Sequence, residues 1–222
     1  TMGDLGAVSL MSSKHTTSGG QGGMVLTNCI HLYWQAKRFA DRGKPFNSQD
    51  PTNLFLGNNY RMTELEAAIG RAQLKKLESI KEKRQWIVRE LKKRLAHCAT
   101  SLWKVSHEAN PWFCFLRFDA ENMNADKVTF AEALAKEGIP VGAHYVVPIY
   151  QQTWIRERRA YGSSGYPWSD QKARPIDYTG CCPVAEKALS DHFTLYIHEG
   201  WGEEELEDTV RAIEKVEAYY RK

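Results

Sequence analysis

Two short apolar segments near the start of the chain place the strongest constraint on its fold. Residues 7–11 and 23–27 are rich in Val, Leu and Met and are bounded by glycine. Runs of this length and composition predict short buried strands. Because helices are predicted to follow them, we expect residues 1–77 to form the closing edge of a larger α/β domain.

The sequence predicts two helices after these strands. Asn28 is the expected N-cap of the first helix, which runs to about Ala40. Thr63 and Glu66 form a capping box at the head of the second helix. Apolar residues of the second helix follow helical spacing and are expected to form its buried stripe: Leu65, Ala68, Ile69, Ala72 and Leu77.

The second helix is expected to continue through a highly charged segment, residues 75–94. A basic helix can bind nucleic acid, but Glu78, Glu82 and Glu90 interrupt the positive charge. The chain has a net charge of +3, which is too small to indicate nucleic acid or an acidic membrane as a partner. We therefore interpret the segment as a solvated helix face.

From about residue 78 onward the pattern changes to shorter elements. Extended segments are predicted at residues 112–118, 139–145 and 193–197, and helices at residues 125–136, near Pro183 and after Gly202. In the last helix Glu217 is a polar exception at an otherwise apolar position. This mixture predicts a small α+β domain over residues 78–222.

The composition restricts the compartment. Five cysteines without framework spacing, and an N-terminus without a signal-like segment, predict reduced thiols in the cytoplasm. Cys181 and Cys182 lack C-x-x-C spacing, so we favour free thiols over a redox or metal site and expect no metal. No apolar run approaches the roughly 20 residues needed to cross a bilayer, and we expect no membrane association.

Lys14 is the first candidate for a chemical function. It lies within the hydroxyl-rich stretch Ser12–Ser18, directly before the glycine-rich stretch Gly19–Gly23. Hydroxyl groups and glycine amides can bind phosphate oxygens while a lysine amine forms a Schiff base with an aldehyde. This setting is typical of a pyridoxal 5'-phosphate (PLP) site, although a surface lysine in a glycine loop is an alternative. A Walker loop is excluded because no Gly-Lys-[Ser/Thr] follows.

A second motif agrees with this interpretation. The segment Leu56–Gly70 contains Asn59-Tyr60-Arg61-Met62-Thr63 and continues to Leu77. Together with residues 3–28 it closely resembles the DegT/DnrJ/StrS-type sugar aminotransferases, which have the aspartate-aminotransferase (fold type I) architecture. The resemblance extends along essentially the whole chain. It implies the end of a PLP-transferase large domain, followed by a small α+β C-terminal domain.

The resemblance implies a PLP-dependent aminotransferase that acts on a nucleotide-linked keto-deoxysugar in amino-sugar biosynthesis. An amino acid such as glutamate would be the donor. Lys14 would be the Schiff-base lysine and then the proton shuttle, and the hydroxyl of Ser9 would contact the cofactor phosphate. Asn59 and Arg61 would reach towards phosphate and substrate in the neighbouring subunit's site, which implies a homodimer with shared active sites.

Some of these assignments have structural alternatives. His144 and Tyr145 correspond to the place where the small domain approaches the nucleotide-sugar cleft, but a packed or capping role is an alternative for His144. Asn59 and Arg61 can instead cap a helix and pair with a carboxylate. An unpaired strand edge at residues 7–11 would favour dimerisation or strand exchange.

The sequence also departs from the pattern of the family. Gln21 replaces an acidic residue, His15 replaces Asn, and Met11-Ser12 replaces an aromatic-proline pair. These changes indicate a divergent subgroup and leave the sugar unspecified. Family members have a long segment before the lysine, including the aspartate that pairs with the pyridine nitrogen, so we expect the chain to be truncated.

Three functions are therefore considered. The first is the aminotransferase. The second is the sugar dehydratase branch of the same family, which Lys14 disfavours because that branch has histidine in place of the lysine. The third is a non-catalytic fragment that acts as a substrate lid or a dimerisation domain.

Overall fold

The computed structural model describes residues 2–103, 106 and 109–222. The chain divides into two compact units, the first ending at Glu82 and the second beginning at Lys83. The expected division after residue 77 lies slightly earlier in the sequence, and the assignment of the first part to a PLP-binding domain stays a prediction.

The first unit begins with an antiparallel pair of strands. β1 (Gly6–Ser9) pairs with β2 (Gly23–Leu26), so that Gly6 lies opposite Leu26. Strands are predicted here, but the prediction that they are buried is wrong for the paired residues, whose side chains are largely exposed, with Val25 59% exposed. Leu10, which follows β1 within the predicted segment, is buried. Among the described residues this sheet has two strands, and neither face is packed into a core.

The first helix, α1 (Ile30–Phe39), confirms the predicted element but not its cap. Cys29 rather than Asn28 is the N-cap, and no side chain caps the helix. The physical reason lies in the preceding turn, where the Thr27 hydroxyl accepts the Cys29 N–H at 3.0 Å and donates to the Asp4 carbonyl at 2.7 Å. These two bonds move the start of the helix one residue along the chain.

The predicted capping box of α2 (Glu64–Leu74) is confirmed. The Thr63 hydroxyl accepts the Glu66 N–H at 3.3 Å, and the Glu66 carboxylate accepts the Thr63 N–H at 2.9 Å. A capping box satisfies two N–H groups that would otherwise lack partners at the start of a helix. The motif at residues 59–63 therefore ends directly on a fixed helix terminus.

The predicted buried stripe of this helix is wrong. Leu65 is 79% exposed and Ile69 is 43% exposed, Ala68 and Ala72 are also exposed, and Leu77 is partly buried. The spacing is helical, but within this unit no other element covers the apolar face. The helix also does not continue through the charged segment, because it ends before Lys75 and a new helix, α3 (Leu77–Arg94), follows.

The second unit contains a four-stranded sheet in which all neighbouring strands are antiparallel. Its spatial order is β3, β4, β6, β5, and the strands are β3 (Ser101–Leu102), β4 (Cys114–Arg117), β5 (Val141–Gly142) and β6 (His192–Leu195). The three predicted extended segments overlap β4, β5 and β6.

Helices of the second unit are α4 (Lys127–Lys136), α5 (Thr153–Arg156), α6 (Pro183–Asp191) and α7 (Glu203–Tyr220). Single 3-10 turns occur at Ala120–Asn122 and Ile149–Gln151. The helix predicted at residues 125–136 is confirmed as α4. The Asp126 carboxylate caps it by accepting the Thr129 N–H at 2.8 Å, and Gly138 follows the helix with φ +88°. Pro183 occupies the first turn of α6, where a missing N–H has no cost.

The core of the second unit lies between its sheet and its long helices. Leu116 and Phe193 of the sheet are fully buried together with Leu91 of α3 and Ile213 of α7. Burial of a side chain of this size stabilises a fold by roughly 1.5–3 kcal/mol. The polar exception Glu217 is also buried, because its carboxylate accepts the backbone N–H groups at residues 99 and 100.

Candidate functional site

The loop that carries Lys14 is held closed at its base by backbone hydrogen bonds. The Leu10 N–H donates to the Gly22 carbonyl at 2.8 Å, which continues the strand pairing beyond β1 and β2. The Lys14 N–H donates to the Met11 carbonyl at 2.9 Å and closes a turn. The backbone at Lys14 is therefore part of a defined turn rather than an open loop.

Ser18 fastens the far side of the same loop. It is fully buried, its N–H donates to the Leu10 carbonyl at 2.9 Å, and its hydroxyl lies 3.1 Å from the carbonyls of Leu10 and Gln21. Gly22 must remain without a side chain, since a Cβ there would lie 2.3 Å from the Ser18 hydroxyl oxygen. The glycine-rich stretch therefore allows close packing around a buried serine.

The groups around Lys14 have the donor chemistry that a phosphorylated aldehyde requires. Lys14 is half-buried, whereas Ser9 is exposed and its hydroxyl accepts the Met11 N–H at 3.4 Å. The hydroxyl oxygen of Thr16 is buried and has no hydrogen-bond partner among the described residues. Buried polar atoms in folded proteins are usually paired, so Thr16 retains an unused donor two residues from Lys14. An amine and hydroxyl donors on one short loop fit PLP.

Asn59 and Arg61 are brought together on a carboxylate that the sequence analysis did not identify. This carboxylate belongs to Asp41, which is 2% exposed. Its Oδ1 lies 3.4 Å from Nε of Arg61 and 2.8 Å from a terminal nitrogen of Arg42, and its Oδ2 lies 3.4 Å from Nζ of Lys44. The Asn59 side-chain oxygen accepts the same Arg61 Nε at 3.4 Å. The alternative expectation, that Arg61 pairs with a carboxylate, therefore describes the contact in this structure.

Backbone contacts join these two segments as well. Asp41 and Asn59 form an isolated antiparallel bridge, and the Tyr60 N–H donates to the Ala40 carbonyl at 2.8 Å. The crossing leaves no room for a side chain at Gly43, whose φ is +73° and whose Cβ would lie 1.9 Å from the Phe55 carbonyl oxygen. The sequence signal Asp41-Arg42-Gly43 predicts a helix end, but it does not reveal this junction.

The charges around Asp41 decide its protonation state. Burial alone would raise the pKa of the Asp41 carboxyl, but hydrogen bonds from Arg42 and Lys44 and the charge of Arg61 outweigh burial and lower this pKa. Asp41 is therefore ionised at neutral pH. The terminal nitrogens of Arg61 have no hydrogen-bond partner among the described residues, so Arg61 keeps free donors for an anion.

Arg61 also lines a cleft of about 840 Å³ in the first unit. Lys37, Tyr33 and Tyr60 line the same cleft, together with residues of β1 and β2. Lys14, Ser9 and Asn59 are not among the lining residues. The first unit by itself therefore places Asn59 beside Arg61 but does not assemble all four predicted residues around one cavity.

His144 and Tyr145 lie in the second unit, just after β5, and both are exposed. The Tyr145 ring lies 4.5 Å from the Phe113 ring and 5.8 Å from the Phe115 ring. Tyr145 therefore has a packing role on this aromatic cluster whatever else it does. The ring nitrogens of His144 have no hydrogen-bond partner among the described residues, which does not support a capping role.

One group of described side chains has donors suited to a metal. His97 Nε2, Cys98 Sγ and a Glu214 oxygen lie within 4.8 Å of one another. His97 Nε2 and a Glu214 carboxylate oxygen already form a 2.8 Å hydrogen bond, with side chains 65% and 45% exposed, and this exposed contact explains the arrangement. Burial, together with Glu217 and Glu214, raises the pKa of the Cys98 thiol to about 11, so the metal-binding thiolate is disfavoured.

Comparison with known structures identifies the class of fold. An aminotransferase from Psychrobacter cryohalolentis superimposes with a TM-score of 0.77 at 22% identity, covering 98% of this chain and 56% of that chain. A Streptococcus pneumoniae protein assigned as a sugar aminotransferase, in its PLP form, superimposes with a TM-score of 0.77 at 17% identity. The match covers 97% of this chain and 52% of that chain. The mixed α/β fold is therefore that of PLP-dependent aminotransferases, which confirms the predicted fold class.

Sequence comparison identifies the family. The profile of the DegT/DnrJ/EryC1/StrS aminotransferase family matches residues 1–214, and the chain belongs to this family of PLP-dependent sugar aminotransferases. GDP-perosamine synthase from Escherichia coli O157:H7 is 34% identical over 113 residues, which are 51% of this chain and 29% of that protein. Some relatives match this chain over nearly all of its residues, and the chain spans about half the length of those relatives.

Among the described residues, no helix combines the length and the apolar composition needed to cross a bilayer. The prediction of a cytoplasmic protein is not tested by this observation and stays a prediction.

Proposed function

We propose that the chain carries part of the active site of a PLP-dependent aminotransferase that acts on a nucleotide-linked keto sugar. The observation that carries the proposal is the position of Lys14, a half-buried residue on a hydrogen-bonded turn, two residues before the unused donor of Thr16. PLP supplies an aldehyde and an electron-withdrawing ring. Nζ of Lys14 would bind the aldehyde and then accept and return a proton as base and acid.

Ser9 is the proposed phosphate ligand within its own chain, and Arg61, together with Asn59, is proposed to reach the phosphate in the neighbouring subunit's site. Arg61 offers two terminal nitrogens in a planar arrangement, and a guanidinium can bind a phosphate through two parallel hydrogen bonds. Asn59 and Asp41 hold Nε of Arg61 and so restrict how the guanidinium turns. His144 and Tyr145 remain proposed contacts for the nucleotide-sugar.

A homodimer with shared sites is proposed from the exposed apolar surface of the first unit. Leu56 is 96% exposed and Leu65 is 79% exposed, and the two strands keep their apolar residues in solvent. Exposed large apolar side chains in this number favour association. Light scattering tests this part of the proposal, and a strictly monomeric species at micromolar concentration would contradict it.

The reaction is tested by transfer of an isotope-labelled amino group from glutamate. The chain is loaded with PLP and mixed with the labelled glutamate, and mass spectrometry follows the cofactor and the keto acid. An aminotransferase transfers the label to the cofactor and releases one 2-oxoglutarate per amino group transferred. Absence of 2-oxoglutarate from a chain that has bound PLP would favour the non-catalytic alternative.

A further inference from the structure

The second unit contains a cleft that none of the predicted site residues lines. Its lining residues belong to the sheet, to Trp103 directly after β3, and to α6, and we call it the β3–α6 cleft. It has a volume of about 670 Å³. Clefts of this size are typical of sites for small molecules.

Three polar residues form a row across the sheet at this cleft. Arg117 of β4 is paired with Ser101 of β3 on one side and with His192 of β6 on the other, and all three line the cleft. Side chains directly opposite each other in antiparallel strands lie on the same face, with Cβ atoms about 4.5–5.5 Å apart. The adjacent residues Leu116 and Phe193 belong to the core, so the row lies on the other face of the sheet.

His192 gives this row a buried hydrogen-bond acceptor. The residue is 8% exposed, and its Nδ1 lies 2.8 Å from the Ala188 carbonyl, which can only accept, so Nδ1 carries a proton. Burial lowers the pKa of His192, which leaves the imidazole neutral at pH 7 and Nε2 with a lone pair. Nε2 is buried without a hydrogen-bond partner among the described residues. Since buried polar atoms are usually paired, a hydroxyl donor on a ligand would complete the site.

Arg117 gives the same row a positive charge that is not neutralised. In the part of the chain that the structure describes, its side chain forms neither a hydrogen bond nor an ion pair. Two other charged residues of the cleft, Lys187 and Asp191, are paired with each other at 2.8 Å. A guanidinium can bind a carboxylate through two parallel hydrogen bonds. Arg117 is therefore available to a ligand that carries a carboxylate.

Apolar groups line the remainder of the cleft. The Trp103 ring meets the His192 ring edge to face, with centroids 4.4 Å apart, and Trp103 is 49% exposed. Across from it α6 contributes apolar lining residues: Pro183, Val184 and Ala188. Aromatic rings pack favourably on an indole and on aliphatic side chains. A flat ring therefore suits the space beside the polar row.

We infer that the β3–α6 cleft binds a hydroxylated aromatic carboxylate. Its carboxylate binds the Arg117 guanidinium, its ring packs beside Trp103, and its hydroxyl donates to Nε2 of His192. A ligand without the hydroxyl would leave the buried Nε2 unpaired, and one without the carboxylate would leave the charge of Arg117 unmatched. No residue proposed to bind PLP or the sugar takes part, so this binding does not depend on the proposed function.

Ligands that lack one chemical part test the assignment. Isothermal titration of the full chain near neutral pH is performed with 3- and 4-hydroxybenzoate, with the 3- and 4-methoxybenzoates, which cannot donate, and with phenol, which lacks the carboxylate. We expect at least one hydroxybenzoate to bind at least about tenfold more tightly than its methoxy counterpart and than phenol. Equal affinities within these pairs would overturn the assignment, as would the absence of binding.

Matched variants test the residues. Arg117→Gln should weaken hydroxybenzoate binding by at least about tenfold. Lys215→Gln is the control, because Lys215 lies outside the cleft and is paired with Glu137 at 2.8 Å, and it should change the affinity by less than about twofold. His192→Asn keeps an N–H donor near the backbone but removes the Nε2 acceptor, so hydroxy- and methoxybenzoates should then bind equally. Equal weakening by Arg117→Gln and Lys215→Gln would contradict the assignment.

Two further measurements keep the result specific to this cleft. Circular dichroism shows whether each variant is folded; if His192→Asn is not, the paired ligands and Arg117→Gln decide the outcome. Arg61→Gln should leave the affinity unchanged, since Arg61 belongs to the first unit and does not line the cleft. Loss of binding in Arg61→Gln with retention in Arg117→Gln would place the carboxylate in the first unit and overturn the assignment.

Discussion

Nε of Arg61 lies 3.4 Å from Oδ1 of Asp41, a carboxylate whose side chain is 3% exposed. The Arg61 side chain itself is 55% exposed. The buried Asp41 carboxylate therefore contacts Nε of a guanidinium group whose side chain extends into solvent. This relationship gives Asp41 a positioning role: it leaves the terminal guanidinium nitrogens free and limits their directions. The role does not require Asp41 to contact cofactor or substrate.

The Asp41→Asn variant should lower the melting temperature by several degrees. It removes the charge that Arg42, Lys44 and Arg61 share, and it leaves these cations without their common partner. Asp50→Asn is the matched control, because Asp50 is exposed and its carboxylate bonds only to Thr52 within its own loop. Equal effects of the two variants in thermal unfolding would contradict the view that Asp41 is the common partner of these three cations.

The contribution of Asp41 should depend on pH in a defined direction. Its pKa is lowered from 3.8 in the folded state, so its stabilising effect is complete above about pH 4 and is lost as the pH falls through the lowered folded-state pKa. The stability difference between the wild type and Asp41→Asn should therefore shrink in acid. Denaturant unfolding at a series of pH values between about 2 and 7 measures it, and a constant difference would disagree with this prediction.

Gly43→Ala should destabilise the junction beneath Asn59 and Arg61. A left-handed backbone costs a non-glycine residue roughly 1–2 kcal/mol, and the added Cβ would also collide with Phe55. We expect a loss of more than about 2 kcal/mol in the free energy of unfolding. Gly20→Ala is the control, since a Cβ at Gly20 meets nothing within 4 Å; comparable losses for both variants would mean that the collision has no effect.

His192 should have a pKa below 6.5, mainly because burial disfavours its charged form. Its Nδ1 lies 2.8 Å from the Ala188 carbonyl, and its Nε2 is buried without a hydrogen-bond partner among the described residues. Since the unfolded chain binds this proton more readily, stability should decrease as the pH falls through about 6.5. Titration of the imidazole by NMR tests the direction, and a pKa above 6.5 would contradict it.

The comparison of sequence and structure shows which signals are local. The capping box at Thr63 and Glu66 is confirmed because it depends on residues within one helix turn. The buried stripe through Leu65 and Ile69 is wrong because helical spacing reveals an apolar face but not what covers it. Burial depends on elements distant in sequence, and the sequence does not show whether they lie within the same compact unit.

In the candidate site, too, the features visible in the sequence are the local ones. Lys14 and the Asn59-Tyr60-Arg61 motif can be found from residue types and from resemblance to the family, since they are short and contiguous. Asp41 cannot, because an aspartate at the end of a helix is an ordinary sequence feature. Its importance comes from a bridge to Asn59, eighteen positions further along the chain, that only the fold creates.

The position at which PLP attaches to the chain shows whether Lys14 is the cofactor lysine. The purified chain is incubated with PLP and reduced with borohydride, and the modified lysine is located by peptide mass mapping. We expect one dominant modified residue, Lys14, whose label is lost in Lys14→Ala and retained in Lys75→Ala, a change at the exposed end of α2. Label spread over exposed lysines, or label that persists unchanged in Lys14→Ala, would contradict the assignment of Lys14 as the cofactor lysine.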